Sequence, residues 1–295
     1  MSNLYKLRRR IRSTRNVSQV TKAMQAVSAA KLGRVRQMLE ESRPYQFWTR
    51  HILAELSRYS HTICCTHPLL MHPKAVERVL VIVVSADRGL CGTYIQGVVH
   101  QATTCVPSVE EGASVDFLSI GKKGTSMLAL LGEHVIASFD IPRALPSYKL
   151  AREVAVMAMD EFTSGHYQEV YVAYTQFHNL LVHKATCERF LPLQLDAEAE
   201  SEESGLPFSY EPPPEQLLAA FLPRALEMKM YSHLVESVAS EHSARMVAME
   251  NATRNAENMV QELTLAFNKA RQRRITREIL DIAGGAEGLS HADHP

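Results

Sequence analysis

The stretch that decides the fold runs from Glu215 to Ile282 and reads EQLLAAFLPRALEMKMYSHLVESVASEHSARMVAMENATRNAENMVQELTLAFNKARQRRITREILDI. It contains no glycine and only one proline, Pro223, near its start. Large apolar residues recur in it at steps of four, namely Leu218, Leu222, Leu226, Met230, Leu234 and Val238. This spacing lays an apolar stripe along one side of a helix. We therefore predict one continuous helix of roughly 90–100 Å, at 1.5 Å per residue.

A helix of this length needs a second long helix beside it, because an ordinary globular helix has only about 11–12 residues. The beginning of the chain supplies one, with apolar residues at three- and four-residue steps that include Leu4, Leu7, Ile11, Val17, Val20, Met24 and Val27. Alanines make the middle of both segments slim. We predict an antiparallel two-helix coiled coil of residues 1–60 and 215–283, although Gly33 and Pro44 could kink or interrupt the first helix. The alternative is two helices that each lie on a globular core.

The middle of the chain, residues 75–196, alternates between strands and helices. Val79 to Val84 is a continuous apolar and mostly β-branched run, which is typical of a strand buried on both faces. Four further strands are predicted, at Val115–Ile120, Val135–Phe139, Glu169–Tyr174 and Glu188–Leu195, with helices near Thr93–Thr104, from Gly121 to Leu131, and at Leu150–Phe162. This order predicts an α/β domain with a mostly parallel, Rossmann-like sheet.

Two glycine-containing turns in this domain raise the question of nucleotide binding. Neither Asp87–Gly92 nor Gly121–Ser126 has the glycine and lysine spacing of a phosphate-binding loop, so we interpret both as tight strand-to-helix turns. Cys91 lies close to Arg88, whose charge could lower the thiol pKa, but no positioned base accompanies it. The sequence therefore predicts no catalytic apparatus and no nucleotide site, which opposes an enzyme.

The charge of the chain is balanced overall and polarised locally. Ten basic residues and no acidic residue precede Leu39, whereas Asp196 to Glu215 is acidic without Lys or Arg. The basic start resembles a transit peptide, but its helical pattern continues unbroken, so we interpret it as part of the mature helix. An alternative function follows from it, a basic helical scaffold that binds nucleic acid or an anionic membrane. Only Tyr5 is available there for stacking on bases.

Cysteine and histidine cluster in the linker between the first helix and the α/β domain. Cys64, Cys65 and His67 lie close together, but the paired spacing of a zinc site is missing. The cysteines number five and have no regular spacing, which argues against a disulfide framework and fits a reducing compartment. No apolar run is long enough for a membrane span.

Three blocks of sequence together resemble one family. The blocks are Ile11–Asn16 with Thr21–Leu32, then Ser85–Gly92, and finally Glu241–Thr253 followed by Phe267–Gln272 and Ile275–Thr276. In this order they resemble the gamma subunit of bacterial-type F-type ATP synthases along nearly the whole chain. The family likeness agrees with the coiled coil that the periodicity predicts.

The resemblance implies a central-stalk rotor that couples proton-driven rotation to ATP synthesis and hydrolysis in a catalytic hexamer. Such a subunit is not catalytic itself and needs no cofactor and no metal. The implied partners are the alpha and beta subunits of the hexamer, the epsilon subunit and the membrane c-ring, with one copy per complex and no nucleic acid. The implied location is peripheral, on the cytoplasmic side of the cell membrane.

The resemblance also assigns roles to particular residues. Arg271, Gln272 and Thr276 would contact a loop of one catalytic subunit, and Met24 and Arg245 would lie opposite each other in the shaft. Ile279, with Ile275 and Ile282, would form an apolar tip that turns in an apolar sleeve. The chain departs from the family at Thr93, where a second glycine is common. It has no inserted dithiol segment, so thiol control is not expected, and the tail after Gly285 is predicted to be disordered.

Overall fold

The computed structural model describes the backbone of residues 2–59, 67–73, 75–104, 114–142, 145–194, 211 and 213–292. The α-helices in these ranges are α1 (Ser2–Tyr59), α2 (Tyr94–Thr104), α3 (Lys122–Leu131), α4 (Tyr148–Thr163) and α5 (Pro214–Ala292). The strands are β1 (Arg78–Val84), β2 (Ser114–Ile120), β3 (Val135–Phe139), β4 (Glu169–Phe177) and β5 (His183–Leu191). A short 3-10 helix covers Pro68–Leu70. The chain forms two compact units, Ser28–Arg245 and the pair of segments Met1–Val27 and Met246–Pro295.

The larger unit contains a mixed sheet that is parallel apart from one edge. Its five strands lie in the order β3-β2-β1-β4-β5 within the described residues. β1, β2, β3 and β4 are parallel, and β5 pairs with β4 in the antiparallel direction. The predicted mostly parallel α/β sheet is therefore confirmed. The last strand differs, since it begins at His183 rather than Glu188 and ends at Leu191 rather than Leu195.

Alternate residues of β1 face opposite sides of the sheet, and both sides are covered. Val79, Val81 and Val83 pack with α2 and α3 residues on one face. Leu80, Ile82 and Val84 pack on the other face with residues of α1, α4 and α5. Burial on both faces explains why the sequence of β1 is apolar without alternation. Every member of the stripe from Leu218 to Val238 is buried in this second core, as the four-residue spacing predicts.

The terminal helices run antiparallel and pack against each other in each unit. In the larger unit the Gln46 side-chain amide donates to Ser232 Oγ at 2.7 Å. In the smaller unit the Thr21 and Thr253 hydroxyls are 2.6 Å apart, and Thr14 Oγ1 lies 4.0 Å from Met259 Sδ. Residue numbers rise along one helix as they fall along the other. The predicted antiparallel two-helix coil is confirmed.

The interior of the coil matches the predicted apolar stripe of α1 only in part. The less exposed positions of α1 recur in a heptad pattern, at Leu4, Leu7, Ile11, Thr14, Ser18, Thr21, Gln25, Ser28, Leu32 and Val35. Val17, Val20 and Val27 are instead exposed. Hydroxyl side chains occupy the middle of the coil. A search for apolar residues therefore finds the interior at Leu4, Leu7 and Ile11 but selects the exposed side at Val17, Val20 and Val27.

Both long helices are more continuous than the sequence indicates. α1 passes through Gly33 and Pro44 without interruption. α5 continues to Ala292, beyond the predicted end at Ile282 and through the tail that was predicted to be disordered. The acidic segment 195–210 and the cysteines of the 60–66 linker lie outside the described residues.

Candidate functional site

The residues that the sequence predicts for contact with a catalytic subunit lie together on the surface of α5. Arg271, Gln272, Thr276 and Ile279 are all exposed. Since successive helical residues turn by about 100°, these four residues occupy a sector of about 140° around the helix. The Thr276 hydroxyl donates to the carbonyl oxygen of Gln272 at 3.0 Å, which satisfies its donor within the helix. We call this set the contact sector.

The contact sector begins where the two-helix coil ends. Thr14 lies beside Met259 and Thr21 beside Thr253. Extending this antiparallel alignment residue by residue places Ser2, the first described residue of α1, beside Arg271. From Gln272 to Ala292, α5 therefore has no described residue of α1 beside it. At 1.5 Å per residue, about 30 Å of α5 lies beyond the described part of α1.

Large apolar side chains are exposed along this part of α5. Ile275 is 47 % exposed, Ile279 59 % and Ile282 73 %. Leaving such side chains in water costs about 1.5–3 kcal/mol each relative to full burial. A contiguous exposed apolar surface marks a site of interaction with another protein or a membrane. Ile275, Ile279 and Ile282 therefore form an uncovered apolar surface on α5, and its role as a tip stays a prediction.

A second exposed apolar surface lies on the outer side of the coil. Val17, Val20 and Val27 are between 51 % and 58 % exposed. Their three- and seven-residue steps place them along one side of α1, away from the interior of the coil. The coil thus turns hydroxyls inward and valines outward, which is the arrangement expected of a helix pair that is enclosed by a partner.

The basic residues before the tip have few acidic neighbours. Arg274 pairs with Glu278 at 2.7 Å on the same helix, which contributes only about 0.3–0.5 kcal/mol at an exposed site. Among the described residues, no acidic side chain forms an ion pair with Arg271 or Arg273. Their charge is therefore available to an acidic partner surface.

Arg245 lies in the larger unit, in a buried cluster that the sequence did not reveal. Its Nη2 donates to Glu241 Oε1 at 2.6 Å and to the Arg88 carbonyl at 3.0 Å, and its Nε donates to the Gly89 carbonyl at 3.3 Å. Both charged side chains are buried. Arg245 therefore ties α5 to the turn after β1. Met24 belongs to the smaller unit and is half-buried, so its position opposite Arg245 stays a prediction.

His242 adjoins this cluster and stays neutral at physiological pH. Burial, together with the nearby charges of Arg245 and Lys31, lowers the pKa of His242 from 6.5 to about 4. Its Nδ1 lies 3.4 Å from Arg245 Nη1. Protonation of His242 would add a positive charge next to those of Arg245 and Lys31, so the folded chain disfavours it.

The pH dependence of stability is expected to report on His242. Because its pKa is lowered on folding, the stabilisation is complete above pH 6.5 and is lost as the pH falls toward 4. Replacing His242→Gln should reduce the difference in unfolding free energy between pH 7 and pH 5 by about 2 kcal/mol. Denaturant titrations at both pH values measure this difference, with His100→Gln on the exposed face of α2 as the control. An unchanged difference in the His242 variant would contradict the burial of a neutral imidazole.

The turn after β1 also explains why α3 has no phosphate cradle. The backbone N–H of Lys122 donates to Asp87 Oδ1 at 3.1 Å, and that of Lys123 donates to the Ala86 carbonyl at 2.9 Å. These N–H groups, at the start of a helix, are the ones that would otherwise bind an anion. The chain uses them for its own turn, in agreement with the interpretation of Gly121–Ser126 as structural.

The ligand crevice of an open α/β sheet lies where the strand order reverses, here between the carboxyl ends of β1 and β4. A side chain of α5 occupies this crevice. Ser237 Oγ donates to the Val84 carbonyl at 3.1 Å, lies 2.7 Å from Tyr94 Oη, and accepts from the Thr175 N–H at 3.4 Å. The position in which related folds bind a nucleotide is therefore filled by the chain itself.

Comparison with known proteins decides the family. A family model described as ATP synthase matches residues 3–289. The ATP synthase gamma chain of Roseiflexus castenholzii is 39% identical and is aligned over 98% of this chain and 99% of its own length. Those of Herpetosiphon aurantiacus and Bdellovibrio bacteriovorus are 38% and 36% identical, each over 98% of this chain and at least 99% of their own. The chain belongs to the ATP synthase gamma chain family.

Solved structures of lower sequence identity share the fold of this chain. A chain of the Euglena gracilis mitochondrial ATP synthase, in a structure of OSCP, F1 and the c-ring, matches with a TM-score of 0.68 at 19% identity, over 99% of this chain and 96% of its own length. A chain of the Tetrahymena thermophila central stalk and c-ring structure matches with a TM-score of 0.61 at 23% identity, over 79% of this chain and 99% of its own.

A gamma chain is a subunit of the ATP synthase and is not itself catalytic, as the sequence predicted. The matches do not support the alternative of a scaffold for nucleic acid or an anionic membrane. The gamma chain belongs to a membrane-bound complex, while none of its described helices is long and apolar enough to cross a membrane. Among the described residues no group of histidine, cysteine and acidic side chains is arranged to hold a metal ion.

One expectation about cysteine was wrong. Burial raises the pKa of the Cys91 thiol, and this effect outweighs the opposing charge of Arg245, whereas the sequence suggested that Arg88 could lower this pKa. Cys187 on β5 is disulfide-bonded. His67 of the predicted cysteine and histidine linker has a structural role, since its Nδ1 accepts from the Leu69 N–H at 3.3 Å and caps the 3-10 helix.

Proposed function

We propose that this gamma chain is the central rotor of a proton-translocating ATP synthase, with its coil and single-helix tip enclosed by the catalytic hexamer of alpha and beta subunits. The observation that carries the proposal is the uncovered apolar surface of α5 beyond the coil, which includes Ile275, Ile279 and Ile282. A single helix with this surface requires a surrounding protein that covers it. Rotation requires that the side chains of the helix do not interlock deeply with that protein. An exposed apolar surface suits this requirement because apolar contact is non-directional.

The contact sector gives the rotor its asymmetry. Arg271, Gln272, Thr276 and Ile279 span about 140° of the helix, close to the 120° that separates three equivalent sites around an axis. One catalytic subunit at a time would therefore meet the sector, while the other two meet different faces of α5. A ligand can shift an equilibrium only by its differential contacts with each state. Rotation of the sector would supply such differential contacts in turn, so that each site changes its affinity for nucleotide.

The remaining partners and the location follow from the same proposal. The α/β unit of Ser28–Arg245 would face the epsilon subunit and the membrane c-ring, and one gamma chain would serve each complex. The subunit would lie peripherally on the cytoplasmic side of the cell membrane. Cross-linking of the assembled complex, followed by identification of the linked subunits, tests these assignments.

Removing polar groups from the contact sector is expected to weaken coupled ATP synthesis. Arg271→Ala combined with Thr276→Ala deletes a charge that has no acidic partner in the described chain, together with a hydroxyl. A lost charge-assisted hydrogen bond of about 1.5 kcal/mol corresponds to about a tenfold loss. We expect gradient-driven ATP synthesis in membrane vesicles to fall by about that factor, while the amount of assembled complex stays unchanged.

The matched control is Arg273→Ala, which removes an exposed arginine that lies outside the sector, about 160° around the helix from Arg271. It should leave synthesis within a factor of two of the native complex, on the order of 0.4 kcal/mol. Equal losses in the two variants would show that overall charge matters and that the sector does not. Unchanged synthesis in the double variant would refute the assigned contact.

A further inference from the structure

A line of hydroxyls joins α5 to the carboxyl edge of the sheet. Ser237, Ser240 and Ser243 recur at three-residue steps and are all completely buried. We call them the serine seam. Ser240 Oγ donates to the Thr175 carbonyl at 3.0 Å and Ser243 Oγ donates to the Leu180 carbonyl at 2.7 Å. With the bond from Ser237 to the Val84 carbonyl, each serine donates to a different backbone carbonyl.

The seam fixes the rotation of α5 about its own axis. Its acceptors belong to β1, to β4 and to the loop after β4, so α5 is tied to two neighbouring strands. Turning the helix in either direction would lengthen and misalign these bonds, and a hydrogen bond weakens steeply with misalignment. Burial of the apolar stripe from Leu218 to Val238 also opposes rotation, because turning α5 would expose it. The seam adds bonds that depend on direction as well as on buried area.

The polar ties continue at both ends of the seam. Before it, His233 Nε2 lies 2.9 Å and Lys229 Nζ lies 3.4 Å from Glu188 Oε1 on β5. After it, Arg245 binds the carbonyls of Arg88 and Gly89. The line therefore covers the 17 residues from Lys229 to Arg245, which span about 24 Å of helix. α5 then continues without a break to Ala292.

We infer that the serine seam is the element that transmits torque between the α/β sheet and α5. This inference rests on the proposed rotor function. When the sheet is driven to rotate, the seam makes α5 rotate through the same angle. Without the seam, α5 could slip against the sheet. Ser240 and Ser243 are positioning residues in this role, since they act through α5 and touch neither nucleotide nor a catalytic subunit.

The test compares ATP synthesis driven by a gradient with ATP hydrolysis in the absence of a gradient. The variant Ser240→Ala with Ser243→Ala removes two bonds of the seam and spares Ser237, whose several partners make its loss a risk to folding. In the complete ATP synthase in closed vesicles, we expect gradient-driven ATP synthesis to fall at least fivefold. ATP hydrolysis by the same complex in detergent, where no gradient opposes rotation, should stay within twofold of the native rate.

The matched control is Ser232→Ala with Thr253→Ala, which deletes two buried hydroxyls of the same helix. These hydroxyls bond to α1 and not to the sheet. The control should keep both activities within twofold. Unchanged synthesis in the seam variant would overturn the inference, and so would parallel losses of synthesis, hydrolysis and assembled subunit, which are the mark of a merely structural role. If complexes without this chain synthesise ATP as well as native ones, the proposed rotor function fails instead.

Discussion

Replacing Glu241→Ala is expected to lower the free energy of unfolding of the chain by about 3–5 kcal/mol, because breaking a buried ion pair leaves an uncompensated charge. The charge left behind is the guanidinium of Arg245, which is buried and bonded to Glu241 at 2.6 Å. Its remaining acceptors are the carbonyls of Arg88 and Gly89, which carry no net charge. Denaturant unfolding followed by circular dichroism measures the loss.

A double variant separates the ion pair from the general cost of mutation. Glu241→Ala with Arg245→Met removes both charges and keeps most of the buried volume. We expect the double variant to lose less unfolding free energy than the two single variants lose together, by at least about 1 kcal/mol. Residues in direct contact do not behave additively. Simple additivity would mean that the two side chains act independently, contrary to the distances between them.

Replacing Gly121→Ala is expected to destabilise the chain by about 3 kcal/mol or more, through strain and a backbone clash together. Gly121 has a φ of +106°, in a region that side-chain-bearing residues rarely adopt. A Cβ atom there would lie 2.8 Å from the backbone nitrogen and 2.9 Å from the carbonyl carbon of Ala86. Backbone atoms cannot rotate away as a side chain can. The start of α3 and the turn after β1 would have to separate.

Gly33→Ala is the matched control, because it adds the same methyl group in open space. Nothing lies within 4 Å of a Cβ atom at Gly33, which sits inside α1. There we expect a gain of about 0.5–1 kcal/mol from the better helix propensity of alanine. Opposite signs for the two substitutions are the result to look for. Destabilisation of similar size at both sites would contradict the close approach at Gly121.

The elements that the sequence predicted well are those in which burial dictates composition. The stripe from Leu218 to Val238 is buried along one side of α5, and β1 is apolar because both of its faces are covered. The start of β5 escaped prediction because His183, Lys184 and Thr186 are partly exposed on an edge strand and carry no strong apolar signal.

The coil and the buried ion pair could not be predicted in detail for two separate physical reasons. The interior of the coil uses Thr14 and Thr21, whose hydroxyls do not stand out in a hydrophobic pattern. The bonds from Arg245 to Arg88 and Gly89 join residues more than 150 positions apart, so no local pattern encodes them. The contact sector at Arg271 to Ile279 was found from family likeness, and its composition alone indicated only a charged surface.

The hydroxyl interior of the coil has a consequence for the subunit on its own. Thr21 and Thr253 meet across the two helices while Val17, Val20 and Val27 face outward. The middle of the helix pair gains little from its own contact, since the valines that could hold it together are on its outside. Much of its rigidity must come from the surrounding protein. The surrounding subunits therefore stiffen the coil, and we expect its helical content to rise when they close around it.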